Sequence, residues 1–368
     1  MKDERAHLQL FDLIARDWVL PQPATGITFN ANDTAVAFAC ADGAIFLATT
    51  ADKEAPDTRV RRAVDTARLT IAPRSKPVAP LKIADFSQGR SSAVMPCGAA
   101  NFAFAKDTGR INSLTPGGIA VHLPVRATGA IGALAVTPDG ATLAYACGDA
   151  LYLTGADADS PQTLGVLPGI AALAVSPDGQ TLAVAHAGGV SRWPLGRLDQ
   201  GPVTTPLADA VISLRWHPGG MWLTACLQSD GFCVIDLARN TARVHGNFPS
   251  PVRSLGFAGQ INAVVAAGAF RVAAWGLDDS QDILSGKAGL VLINAVATCP
   301  TRNLVAVGYA NGLLSLAEIG RPSEILLRED TGAGITVMEW SSNGKFLALA
   351  GADGSAALVQ FPDSMFKS

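Results

Sequence analysis

Short apolar runs alternate with turn residues along the whole chain. In residues 173–193, LAVSPDGQTLAVAHAGGVSRW, one run leads into a Ser-Pro-Asp-Gly turn. A second run meets another glycine-containing turn, and a third run follows. Runs of about five residues, bounded by turn signals, are too short for helices and predict antiparallel strands. In such a turn Pro presets φ, Asp bonds the backbone, and Gly tolerates positive φ. Residues 134–153, LAVTPDGATLAYACGDALYL, repeat the pattern 39 residues earlier.

With the turn position of Pro138 as marker, the same place falls at Pro177, Pro218, Gly259, Pro300 and Ser342, at intervals of 39, 41, 41, 41 and 42. Backwards, Cys97 lies 41 residues before Pro138, and Ala31 lies 66 before Cys97. That excess is absorbed by the segment 51–77, so eight copies fill the chain. A fourth strand fits between copies, as in Glu324–Glu329. Four short strands every ~41 residues predict an all-β fold, a closed β-propeller of four-stranded blades. One domain then spans 1–368, with 51–79 inserted in the first blade.

The second strand of each copy has its own alternation. Leu143, Tyr145 and Cys147 alternate with Ala144 and Ala146, and small residues return at Ala37 and Ala39, Ala103 and Ala105, and Ala183 and Ala185. One face carries bulk and the other almost none, which lets neighbouring sheets nest with both faces buried. The last copy stops after three strands. The N-terminal run Leu13–Pro21, LIARDWVLP, is expected to complete the last blade, close the ring and remove two exposed edges.

These copies resemble the WD-repeat (Trp-Asp) propellers, in the manner of a divergent prokaryotic member. The resemblance rests on the S-P-D-G turn, on the second turn (Asp42-Gly43, Asp230-Gly231, Asn311-Gly312, Asp353-Gly354) and on the strand-ending Trp193 and Trp275. TolB-like repeats share the first turn. The family's common count is seven blades, whereas the register here gives eight. No copy has a Gly-His pair before its first strand and no Trp is followed by Asp. The family's Trp–Ser–His–Asp network is therefore not expected, and apolar packing must hold the blades.

Composition agrees with a large buried area. Of 368 residues, 49% are hydrophobic and 16% charged, against roughly 25% charged in ordinary soluble domains. A net charge of −3 supplies no field for nucleic acid or anionic lipid. No apolar stretch approaches the ~18 residues of a membrane span, and the start MKDERAHLQLFDL lacks the pattern of a signal peptide. Six cysteines without a C-x-x-C pair point to free thiols in a reducing bacterial cytoplasm.

Candidate chemistry is sparse. Cys40, Cys147 and His186 share one register place, the end of the second strand, with Cys226 one residue off and Tyr309 in the same place of another copy. In the WD-repeat resemblance this end faces the top rim. Thiolate and imidazole suit zinc, so the four Cys/His residues are a candidate metal set, weighed against plain core packing. His217 and Cys299, before prolines in the first turn, read as turn caps alongside Thr137 and Ser176. The insertion ADKEAPDTRVRRAVDTARLTIAPRSKPVA is rich in Arg59, Arg61, Arg62, Arg68 and Arg74. Val60, Val64, Ala67 and Ile71 could form one face of a short helix. It reads either as a solvated loop or as a docking element for an acidic partner. Arg215 and Glu339 are the rare charges on first strands, and would serve a channel enzyme. The leading expectation is a monomeric, cofactor-free scaffold that binds other proteins through the top rim and the insertion, with a zinc-handling protein and a channel enzyme as alternatives.

Overall fold

The repeat turns form by side-chain capture of the backbone. Thr137 Oγ1 donates to Asp139 at 2.6 Å and accepts the Thr142 amide at 2.9 Å, while Asp139 accepts the Ala141 amide. Ser176, Asp178 and Thr181 repeat the arrangement. Hydroxyl and amide donors hold both carboxyls below their ordinary range. Gly140 and Gly179 take φ of +76° and +72°, where an L side chain is strained. His217 plays the same part, its Nδ1 accepting the Gly219 amide at 2.9 Å, and Cys299 stands over Thr301.

The computed structural model describes residues 8–62, 69–84, 94–155, 160–278 and 281–366. Its strands pair into eight four-stranded antiparallel sheets. The first blade is Ala24–Phe29, Ala35–Cys40, Ile45–Thr49 and Lys82–Ile83. The other seven begin at Met95, Ile131, Ala172, Val211, Leu255, Ile293 and Ile335. First strands of neighbouring blades lie side by side around the axis, with Arg215 and the Leu255 carbonyl linking those of blades 5 and 6.

The alternation in the second strands becomes the joint between blades. Ala35, Ala37 and Ala39 of blade 1 meet Phe102 and Phe104 of blade 2. Ala103 and Ala105 of blade 2 meet Leu143 and Tyr145 of blade 3. Ala144 and Ala146 then meet Leu182 and Val184. The series ends where Ala348 and Ala350 of blade 8 meet Val36 and Phe38 of blade 1, which closes the circle. Each large side chain buried this way contributes about 1.5–3 kcal/mol.

Blade 8 takes its outer strand from the other end of the chain. Ala15–Val19 pairs antiparallel with Ser355–Gln360, Ala15 opposite Val359 and Val19 opposite Ser355. Phe11 and Ile14, in the short helix Leu10–Ile14, enter the core between blades 7 and 8.

The insertion departs from the expected helix. A single turn at Pro56–Arg59 is followed by a two-stranded ribbon, Val60–Arg62 paired with Leu69–Ile71; Val64 and Ala67 lie outside the described residues. β-Branched Val60, Thr70 and Ile71 favour the ribbon, and Ile71 packs on the blade 7–8 core. The insertion also leans on the closing blade. Arg74 grips Asp52 through two bonds of 2.6 and 2.9 Å, and Arg16 of the N-terminal strand lies 3.9 Å from the same carboxylate. Trp18 Nε1 donates to the Ala79 carbonyl at 2.8 Å. Asp57 accepts the Asp363 amide at 2.9 Å and pairs with Lys345 at 3.4 Å. The segment thus clasps both chain ends where the ring is sealed.

Candidate functional site

The four Cys/His positions belong to four blades, one residue in each. Cys40 and Cys226 are buried in two different joints, blade 8 to blade 1 and blade 5 to blade 6. Burial, with Asp42 adding to it, pushes the Cys40 thiol up to about 11, and burial likewise raises Cys226. Both therefore favour the thiol over the thiolate that a metal requires. His186 Nδ1 accepts the Gly188 amide at 3.2 Å, so Nε2 carries the proton and donates to Ser191 Oγ at 2.8 Å. Ser191 continues the chain to Thr204 at 2.8 Å. Cys147 is half-buried beside Gly129. Among the described residues, no three His, Cys, Asp or Glu side chains come together as a metal site.

The histidines make stability depend on pH. Burial lowers the pKa of His186, His217 and His245 below 6.5; for His245 the nearby Arg243 adds to this and Asp282 opposes it. A lowered folded-state pKa gives a contribution that is complete above the unfolded value and is lost as pH falls through the folded one. The thermal midpoint should therefore be flat above neutrality and decline as pH drops below 6.5. His217→Asn, which keeps an acceptor for the turn, should flatten that decline in a pH series of melting curves.

Of the insertion's expected docking arginines, the two described side chains differ: Arg59 is buried and Arg61 is exposed. Arg59, expected on a docking face, is only 8% exposed. It donates to the carbonyls of Glu54 (2.9 Å), Leu13 (2.5 Å) and Ala72. Those three carbonyls tie it to the insertion's own turn and to the N-terminal helix. Arg61 is exposed on the ribbon. The Arg62 side chain and all of Arg68 lie outside the described residues.

At the turn-ward end of the first strands the axis holds a cavity of about 400 Å³ lined by Phe29, Arg215, Trp216, Phe257, Glu339 and Trp340, among others. Arg215 Nη2 reaches across it from blade 5 to both oxygens of Glu339 in blade 8, at 2.9 and 3.0 Å. Its Nη1 donates to the Leu255 carbonyl of blade 6 at 2.9 Å. The Glu339 charge outweighs desolvation and raises the pKa of Arg215 further. A guanidinium held this way has no proton to exchange near neutrality, and the pair braces three blades.

A second concavity opens where the segment 286–292 joins blade 6 to blade 7. Its volume is about 360 Å³ and its walls include Leu290, Val291, Tyr309, Leu313 and Leu326. Leu290 is 98% exposed and Leu326 49%. Next to them the Gly289 amide bonds the carbonyl of Phe270, itself 43% exposed. Tyr309, expected on the rim, is buried as a wall of this cleft, and its hydroxyl donates to Glu324 at 3.3 Å. Ser315 Oγ donates to the same oxygen, Oε2, at 2.7 Å, and the Lys287 amide to Oε1 at 2.9 Å. Burial, then the Glu324 charge, push the Tyr309 phenol up to about 12, which keeps it a donor. Sequence reasoning reached Tyr309 but missed Glu324 and Leu290. The adjacent Ile325-Leu326-Leu327 was the available signal, since a strand of period two must turn part of such a run outward.

No family model matches this sequence, and no curated protein matches it either. Among solved structures, the crystal structure of the C-terminal WD40 domain of Sif2 is similar with a TM-score of 0.64, at 13% identity, over 96% of this chain and 99% of that one. With the ring of eight four-stranded sheets, that likeness makes the chain an eight-bladed β-propeller with the fold of the WD-repeat propellers.

Proposed function

We propose that this protein is a non-catalytic interaction module of the bacterial cytoplasm that docks other proteins on the rim of blades 6 and 7. The observation that carries this reading is the exposed apolar surface of Leu290 and Leu326 at an open cleft. Apolar side chains left in water at the mouth of a preformed concavity mark interaction sites. A propeller suits this role, because eight packed joints keep the rim rigid and little ordering is lost on binding. The Arg215–Glu339 pair in the axial cavity is already satisfied, which speaks for binding over catalysis. No helix among the described residues is long and apolar enough to cross a membrane.

The test compares affinity purifications of the wild-type protein and Leu290→Asp from the source cell. Leu290 is almost wholly in solvent, so the substitution should leave the melting temperature unchanged. One or more partners captured by the wild type should be lost or strongly depleted. An identical set of captured proteins would refute docking at this rim.

A further inference from the structure

We infer that the blade 6–7 cleft receives a lysine or arginine side chain presented by a partner protein, with the charged head on Glu324 and the aliphatic stem along Leu290 and Leu326. This rests on the interaction role proposed above and specifies its chemistry.

The Glu324 carboxylate stands at the start of the outer strand Glu324–Arg328, beside a cleft walled by Leu290, Val291, Leu313 and Leu326. Two hydroxyls and one amide hold it in place, and Gly286 lies so close that a Cβ there would collide with it. A carboxylate offers about four acceptor positions, so three donors leave one open, on Oε1. Among the described residues, no Lys or Arg makes an ion pair with it. Lys287, which also lines the cleft, meets the carboxylate with its backbone amide, and its side chain is exposed.

A half-buried carboxylate, oriented by three donors and meeting no cation among the described residues, keeps room for a fourth, charged donor. The remainder of the cleft selects the form of that donor. Long basic side chains lay a hydrocarbon stem on apolar surface and extend a charged head beyond it. Aliphatic walls with a carboxylate at one end match that layout. A purely apolar side chain would leave the open oxygen position without a donor, and an acidic one would be repelled by Glu324.

The experiment uses the full chain with 13C-labelled Leu and Val methyls. N-acetyl-arginine methylamide and N-acetyl-lysine methylamide are titrated separately, with the norleucine and glutamate analogues as comparisons. Saturable shifts of the Leu290, Val291, Leu313 and Leu326 methyls are expected with at least one basic probe. Glu324→Gln should weaken that binding about tenfold, the value of a charge-assisted hydrogen bond. Should Glu324→Gln unfold, Leu290→Ser removes one wall at a solvent-exposed position and should weaken the same probe several-fold. The inference is overturned if neither basic probe gives saturable shifts, if the norleucine or glutamate analogue binds as well, or if the folded variants bind the basic probe like the wild type. Such a result, beside partners still lost in the Leu290→Asp purification, would remove the basic side chain and leave the docking rim standing.

Discussion

A chain lacking residues 1–21 should not persist as a stable monomer. The deletion removes the outer strand of blade 8 and exposes the edge of Ser355–Gln360 along its length. It also takes Phe11 and Ile14 out of the blade 7–8 core. Loss of a buried side chain of that size costs about 2–5 kcal/mol, so two approach the whole stability of about 5–15 kcal/mol that domains possess. The cation–π contact of Arg328 over Phe11, at 5.2 Å, and the Trp18 bond to Ala79 go with them. An unpaired edge invites a strand from another molecule. Light scattering behind size exclusion should show dimers or larger species, and the melting transition should fall or vanish. A monomeric species melting at the wild-type temperature would mean the ring does not depend on this strand.

Asp52→Ala should cost about 3–5 kcal/mol, the range for removing one partner of a buried ion pair. Asp52, Arg16 and Arg74 are all largely shielded from water. Burial opposes ionisation of Asp52, but the Arg74 hydrogen bond, the Glu54 amide and the charges of Arg74 and Arg16 together hold its carboxyl below the ordinary range. Without it, two guanidinium groups face each other across the seam between the insertion and the N-terminal strand. Urea unfolding measures the loss, and Asp52→Asn should recover part of it by accepting one bond. By the same reasoning, replacing 51–79 with a short turn should destabilise the protein. A neutral Asp52→Ala would return the insertion to the status of a dispensable loop.

Much of this architecture was legible because it is written in short-range chemistry repeated eight times. The Thr137-Pro138-Asp139-Gly140 turn needs only its own residues, and the alanine alternation on second strands states which face must admit a neighbour. Closure followed from counting, since the last copy lacked a strand and Leu13–Pro21 could supply one. What escaped depended on distant partners. Val60 and Ile71 fell at helical spacing, yet they pair in a ribbon held against blade 8 by contacts with residues that the local pattern cannot reveal. Arg59 reads as a surface charge until the Leu13 carbonyl, 46 positions away, is placed beside it. Cys147 and His186 share a register place, but a shared register puts side chains at corresponding points of different blades and does not bring them together. Glu324 became meaningful only when the 286–292 segment folded over it.

At six of the eight joints the lean side of one repeat rests on the bulky side of the next, in the same rotational sense. The first four copies therefore carry both halves of one shared coupling. Among these four, a whole copy could be gained or lost and each remaining half would still find its complement, so the burden of such a change falls on the angle between wedges and on the seam at the two termini. In this part of the ring, repeat number can change without a new interface.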